Sequence, residues 1–296
     1  KSVTSWVKID DIEVNYFCTF TNEKTTKTVW MIDGTASSMY FNHVPLWGLE
    51  NEIEGIRVCK YARVGHLFTN GGKVNETNVE APRELFIELV KKTTPKEHSL
   101  IVIGSSYGGL LAVDFVSKGL SDIYNVEKVI LLDNTPITST ENAFQYEKFV
   151  NASKTNLAVM EVLSLLGGTR MMTLLPTEPL HIDAHYMPSS VWIKARHHVM
   201  SSASTWKLMA AEMNKNFLLS KTLFNRSLET SEPLLGDIDT YQVLADRFMH
   251  HMSDEQNEMA LNAKKFDLSS KVLSTKFKSI SLKGDHFFAE NKEENL

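Results

Sequence analysis

Cysteine is nearly absent from this chain of 296 residues, which holds only Cys18 and Cys59. Two thiols do not make a disulfide framework. Their scarcity suits a reducing, cytoplasmic setting, with each expected to be a buried, inert thiol in a strand-like stretch. Long hydrophobic runs are lacking too, since none approaches the roughly 20 apolar residues that cross a bilayer. There is no excess of basic charge: 31 lysines and arginines face 36 acidic residues, a net charge of −5 with the signs interleaved. A nucleic-acid surface is therefore not expected. Nor is a metal centre, because His181-x-x-x-His185 and the pairs His197-His198 and His250-His251 lack cysteine or carboxylate companions at ligand spacing.

What remains is the composition of an ordinary globular protein, 43% hydrophobic and 23% charged. That length suits one large domain, or a core domain carrying an insertion. The chain opens at Lys1 rather than at a methionine, which reads as a cut inside something longer. The glycosylation-type triplets at Asn75, Asn151 and Asn225 are of a kind that chance supplies often.

Val3–Ile9 and Ile12–Phe20 read as strands around an Asp10-Asp11 turn, and Thr28–Ile32 and Gly55–Tyr61 as two more. Pro82–Lys92 places Leu85, Phe86, Leu89 and Val90 at helical spacing. Ser99–Ile103 is a buried-strand run, a helical pattern begins at Leu110, and Val129–Leu132 is again a strand. Strand and helix alternate, which implies parallel βαβ units in an α/β fold. Between about 137 and 236 the pattern becomes helical, as in Leu157–Leu166 and Trp206–Leu219, and is expected to be a lid inserted into the core formed by 1–136 and 237–296. Tyr241–Leu244 and Phe277–Leu282 resume the strands.

Gly104-x-Ser106-x-Gly108 falls where the Ser99 strand turns into a helix. Such a turn lifts the Ser106 hydroxyl above the sheet, and its tightness demands residues without side chains on either side. The N–H of Tyr107 then faces the place where an oxyanion forms, at the positive end of a helix. A serine nucleophile needs a base, and His286 stands in the loop after the Phe277 strand, where this architecture keeps it. His43, His66 and His98 precede the serine, and the remaining histidines fall in or beside the insertion. The orienting acid has two candidate places. Asp246 or Asp254 would follow the penultimate strand. Asp133 closes Val129–Leu132 one helix and one strand after the serine, which returns it to the same sheet edge, and it is favoured.

On Gly104-Ser105-Ser106-Tyr107-Gly108-Gly109, Leu131-Leu132-Asp133-Asn134-Thr135-Pro136 and Lys283-Gly284-Asp285-His286, the chain resembles the type I thioesterase domains. These end animal fatty acid synthases, polyketide synthases and nonribosomal peptide synthetases. The resemblance runs from about residue 28 to residue 288. It implies the α/β-hydrolase fold, a mostly parallel sheet with helices on both faces and a helical lid. It also implies a Ser106–His286–Asp133 triad that releases an acyl, polyketide or peptidyl chain by hydrolysis or cyclisation. The substrate would ride on the phosphopantetheine of a carrier domain, a partner in the same polypeptide, and no cofactor would be bound here. In the family's register the second oxyanion donor is the N–H of Ile32; in the His-Gly-x register of other hydrolases it is Thr35. The lid residues Met160, Leu163, Leu166, Met171, Met172, Leu174 and Leu175 offer an apolar lining for the acyl chain, or simple helix packing. The alternatives are a stand-alone carboxylesterase or lipase acting on oxygen esters, and a catalytically silent hydrolase fold used as a binding module.

Overall fold

In the computed structural model the described residues are 4–19, 23–35, 53–66, 69, 78–137, 140–169, 202–230, 232–245 and 272–282. β1 (Thr4–Ile9) and β2 (Ile12–Cys18) form a hairpin, and Asp10 at φ 50° makes its turn. β3 (Lys27–Ile32), β4 (Ile56–Tyr61), β5 (Ser99–Ser105), β6 (Val126–Leu132), β7 (Asp239–Ala245) and β8 (Phe277–Leu282) follow. All eight strands share one sheet in the order β1-β2-β4-β3-β5-β6-β7-β8. Only β1–β2 and β2–β4 are antiparallel pairs; every pair from β4 across to β8 is parallel.

Alternation along the central strands divides the core. Trp30 and Ile32, Leu100 and Val102, and Val129 and Leu131 pack into one cluster, while Val29, Met31, Ile103 and Leu132 pack into another. Such opposite pointing of neighbouring residues is the period of a pleated strand. The first cluster is completed by helices. α1 (Ala81–Thr93) contributes Leu85, Phe86, Leu89 and Val90, and α2 (Tyr107–Phe115) contributes Leu110, Leu111 and Phe115. Phe86 meets Trp30 edge-on at 5.4 Å and stacks on Phe115 at 4.7 Å, so three elements converge on one ring. The Trp30 Nε1 donates to the Thr94 hydroxyl, 3.0 Å away, which satisfies the polar edge of a fully buried indole.

Among the described residues two long helices lie between β6 and β7, α3 (Thr140–Leu165) and α4 (Ala203–Glu229). α4 buries Leu208, Ala211, Glu212, Lys215, Asn216, Leu219, Ser220 and Leu223, the three-and-four spacing of a single helix face. Leu219 and Leu223 belong to the main core, so α4 is rooted in the sheet domain as well as inserted into it. On α3, Val159, Val162 and Leu165 are exposed, as is Leu166 just past its end. Among the described residues, no helix is long and apolar enough to cross a membrane.

The expectation of two inert thiols is overturned. Cys18 and Cys59 form a disulfide. They are register partners across the antiparallel β2–β4 pair, with Cα atoms 4.1 Å apart. Counting cysteines hid this pairing, because strands β2 and β4 become neighbours only once β3 has been laid on the far side of β4.

Candidate active site

Ser106 follows β5 directly and caps the N-terminus of α2 with φ 50° and ψ −122°, a backbone state that side-chain-bearing residues rarely adopt. Strain of this kind costs about 1–3 kcal/mol and persists only where the surroundings enforce it. The enforcement is visible. The Ser106 N–H donates to the Leu132 carbonyl at 3.0 Å, and the Ser106 carbonyl accepts from the N–H groups of Gly109 (3.0 Å) and Thr135 (3.1 Å). Added carbon at the neighbouring glycines is forbidden by backbone and side chain: a Cβ at Gly108 would collide with the Ile32 carbonyl, and one at Gly109 with the Asn134 side chain.

Asp133 lies one step beyond the Ser105–Leu132 register pair, which sets it beside Ser106 on the same edge of the sheet. It too has positive φ, 39°, and is 1% exposed. Its N–H donates to the Val243 carbonyl at 2.7 Å and its Oδ1 accepts from the Ala245 N–H at 3.3 Å, so β7 holds both its backbone and its carboxyl. Asn134 is anchored next to it, accepting from Gln242 Nε2 at 3.2 Å.

The loop leaving β3 approaches the serine from the other side. A Cβ on Gly34 would stand 3.0 Å from the Ser106 Cβ and 3.5 Å from its Oγ, so only a bare backbone passes this close. Ile32 is the buried last residue of β3, paired with Gly104. Thr35 lies just past Gly34, and its buried hydroxyl has no hydrogen-bond partner among the described residues. Tyr107 is buried, and its N–H is among the first of α2, which have no acceptor inside the helix.

Behind this loop sits a buried cluster of charge. Arg63 donates from Nη1 to the Asp33 carbonyl and from Nη2 to the Gly34 carbonyl, each at 2.6 Å. The same guanidinium grips Glu212 of α4 through Nε (2.8 Å) and Nη2 (3.1 Å), and stands 5.7 Å from the centre of the Tyr107 ring. His66 Nε2 lies 2.8 Å from Glu212 Oε1, and Lys60 Nζ lies 3.5 Å from Asp33 Oδ1. Burial opposes ionisation of Glu212, but Arg63 and His66 outweigh it and hold the carboxyl well below the usual range. For Asp33 burial prevails over Lys60 and Arg63 and pushes its carboxyl up. Burial also raises the Tyr61 and Tyr107 hydroxyls, so both phenols stay neutral.

Solved structures with the same architecture match along nearly the whole chain. A laboratory-evolved variant of the potato epoxide hydrolase superposes with a TM-score of 0.67 at 12% identity, over 99% of this chain and 96% of that one. MenH from S. aureus gives 0.62 at 18% identity over 94% of each chain. A carboxylesterase of the thaumarchaeon Nitrososphaera gargenis gives 0.63 at 13% identity, over 98% of this chain and 94% of its own. The chain has the α/β-hydrolase fold. At these identities the likeness speaks for the fold alone. No protein-family model matches the sequence, and no curated protein does.

Within the α/β-hydrolase fold, Ser106, Asp133, Tyr107 and the 32–35 turn occupy one edge of the sheet, where β5, β6 and β3 end. His286 lies outside the described residues, as do Asp246, Asp254, His43, His181, His185, His197, His198, His250, His251, Asn75, Met171, Met172, Leu174 and Leu175. β8, which precedes His286 in the chain, runs parallel to β7 and ends on that same edge. Among the described residues no group of three or more histidines, cysteines and carboxylates is placed to hold a metal ion. Arg63 and Glu212 meet across 149 positions and carry no local signal in the sequence, and the place of His66 ahead of the serine hides its contact with Glu212.

Proposed function

We propose that this protein is a serine hydrolase that transfers the acyl group of an ester or thioester to water through an acyl-enzyme on Ser106. The observation that carries this reading is the strained Ser106 turn, locked to the Asp133 segment by the Ser106–Leu132 and Thr135–Ser106 hydrogen bonds. In the proposed reaction His286 takes the Ser106 proton as the oxygen attacks the carbonyl carbon, and Asp133 stabilises the imidazolium that results. The tetrahedral oxyanion is received by the Tyr107 N–H and a second N–H from the 32–35 turn. Collapse expels the thiolate or alkoxide, which leaves with the proton held by His286. Water then attacks the acyl-enzyme by the same steps in reverse order.

Release of an acyl chain from a carrier-borne phosphopantetheine is the more specific form of this proposal. Its support is the position of Asp133 after β6, together with the long helices that follow it before β7. The Cys18–Cys59 bond favours a compartment that sustains disulfides over the reducing setting expected from the cysteine count. A fluorophosphonate probe followed by peptide mapping tests the nucleophile, with the label expected on Ser106. Hydrolysis of matched acyl-pantetheine thioesters and oxygen esters then separates the carrier-linked form from a general esterase. A label mapping elsewhere overturns the triad.

A further inference from the structure

We infer that Arg63 is a positioning residue that aims the Thr35 N–H into the oxyanion site, and that Glu212 of α4 holds Arg63 to that task. This rests on the acyl-transfer reading of Ser106 and names the part of the fold that sets its second oxyanion donor.

A trans peptide unit points its C=O and its N–H in opposite directions. The Gly34 carbonyl is drawn back to Arg63 Nη2 and the Asp33 carbonyl to Nη1. Two successive peptide planes are thereby fixed, with the N–H groups of Gly34 and Thr35 facing away from the guanidinium. Gly34 itself abuts Ser106, as the 3.5 Å approach of its absent Cβ to Oγ requires. The Thr35 N–H is therefore presented on the nucleophile's side of the loop. The guanidinium also lies over the ring of Tyr107, whose own N–H is the other donor, so one side chain braces both halves of the oxyanion site.

A guanidinium does this where an ammonium cannot. Its rigid fork spans two carbonyls while its remaining N–H groups meet both carboxylate oxygens of Glu212. Glu212 is 4% exposed, anchored further by His66, and belongs to the helix inserted between β6 and β7. A shift of α4 is thus transmitted to the backbone of the oxyanion loop through a single salt bridge.

The test compares wild type, Arg63→Lys and Glu212→Gln for turnover of a water-soluble acyl ester, for inhibition by a trifluoromethyl ketone that forms a tetrahedral adduct, and for thermal melting. Arg226→Gln, on the same helix but away from the site, controls for a general loosening of α4. Both site variants are expected to lower kcat about 10- to 100-fold, less than outright loss of an oxyanion donor, with KM within about twofold. Affinity for the ketone should fall by the factor lost from kcat/KM. Wild-type kcat in folded Arg63→Lys or Glu212→Gln, even with a lowered melting temperature, overturns the inference, and so does a loss confined to KM. Should Arg63→Lys not fold, Glu212→Gln, which keeps the shape of the carboxylate and one acceptor, decides alone. A wild-type protein that the fluorophosphonate does not label at Ser106 removes the acyl-transfer reading itself. Labelled wild type with unimpaired variants removes only the role of Arg63.

Discussion

Helix α4 carries two buried ion-pair clusters into the sheet domain, and they differ in what they grip. At its first half Glu212 binds Arg63, and Arg63 binds backbone carbonyls of the loop beside Ser106. Near its end Arg226 binds Asp114 at 2.9 Å and the Ser117 hydroxyl at 3.1 Å, while Arg83 of α1 approaches the same carboxylate at 3.2 Å. Asp114 is 1% exposed and sits on α2, the helix that begins at Ser106. This second cluster ends on side chains, so it fastens three helices together and leaves every peptide plane of the site alone. The contrast lies in what each salt bridge reaches: one orients the backbone of the loop beside Ser106, the other joins side chains of three helices.

The scale for breaking that contrast is set by Ser106, the proposed nucleophile. Ser106→Ala should reduce ester turnover by at least about 1,000-fold and abolish fluorophosphonate labelling, with the melting temperature little changed, because alanine keeps the Cβ and the positive φ of the turn. Glu212→Gln comes next, and is expected to divide kcat by about 10 to 100. Arg226→Gln should leave kcat within twofold and lower stability by about 1–3 kcal/mol in denaturant melts, because Arg83 stays to pair Asp114. If Arg226→Gln lowered kcat as much as Glu212→Gln, the two clusters would be equivalent and the contrast would be lost.

A pH series sharpens it at smaller amplitude. The folded-state pKa of Glu212 is depressed, so its stabilisation is complete above the unfolded carboxyl value of roughly 4.3 and drains away as pH falls towards the folded value. Asp33 works in the opposite sense: its raised carboxyl destabilises the fold above the unfolded value, and acid relieves that penalty. Glu212→Gln removes the first contribution alone. Melting temperatures taken downward from pH 5 should therefore fall more gently in Glu212→Gln than in wild type, and parallel curves would contradict the assignment.

Features written over short stretches were legible in the sequence. The run Ser99–Ile103, the Gly-x-Ser-x-Gly turn and the Leu110 helix place Ser106 at a strand-to-helix turn because each depends on near neighbours, and the strand at Phe277–Leu282 matches β8 at both ends. The position of Asp133 beside Ser106 was legible because one helix and one strand return the chain to the same edge. The Arg63–Glu212 bridge was not legible, because an arginine after a strand and a glutamate on a helix are commonplace until the fold brings them together. The disulfide was misread for the same reason, since a count of thiols says nothing about which strands become neighbours.

That disulfide also fixes what the first strands can do. Among the described residues β1 and β2 bring the antiparallel pairing of the sheet and form its outer edge, the place where a sheet most readily frays. The Cys18–Cys59 bond welds this flap to β4, whose following residues lead straight to Arg63. A peptide bond cut anywhere between residues 18 and 59 therefore leaves both pieces tethered, and the hairpin is shed from the molecule only after a reductant has acted.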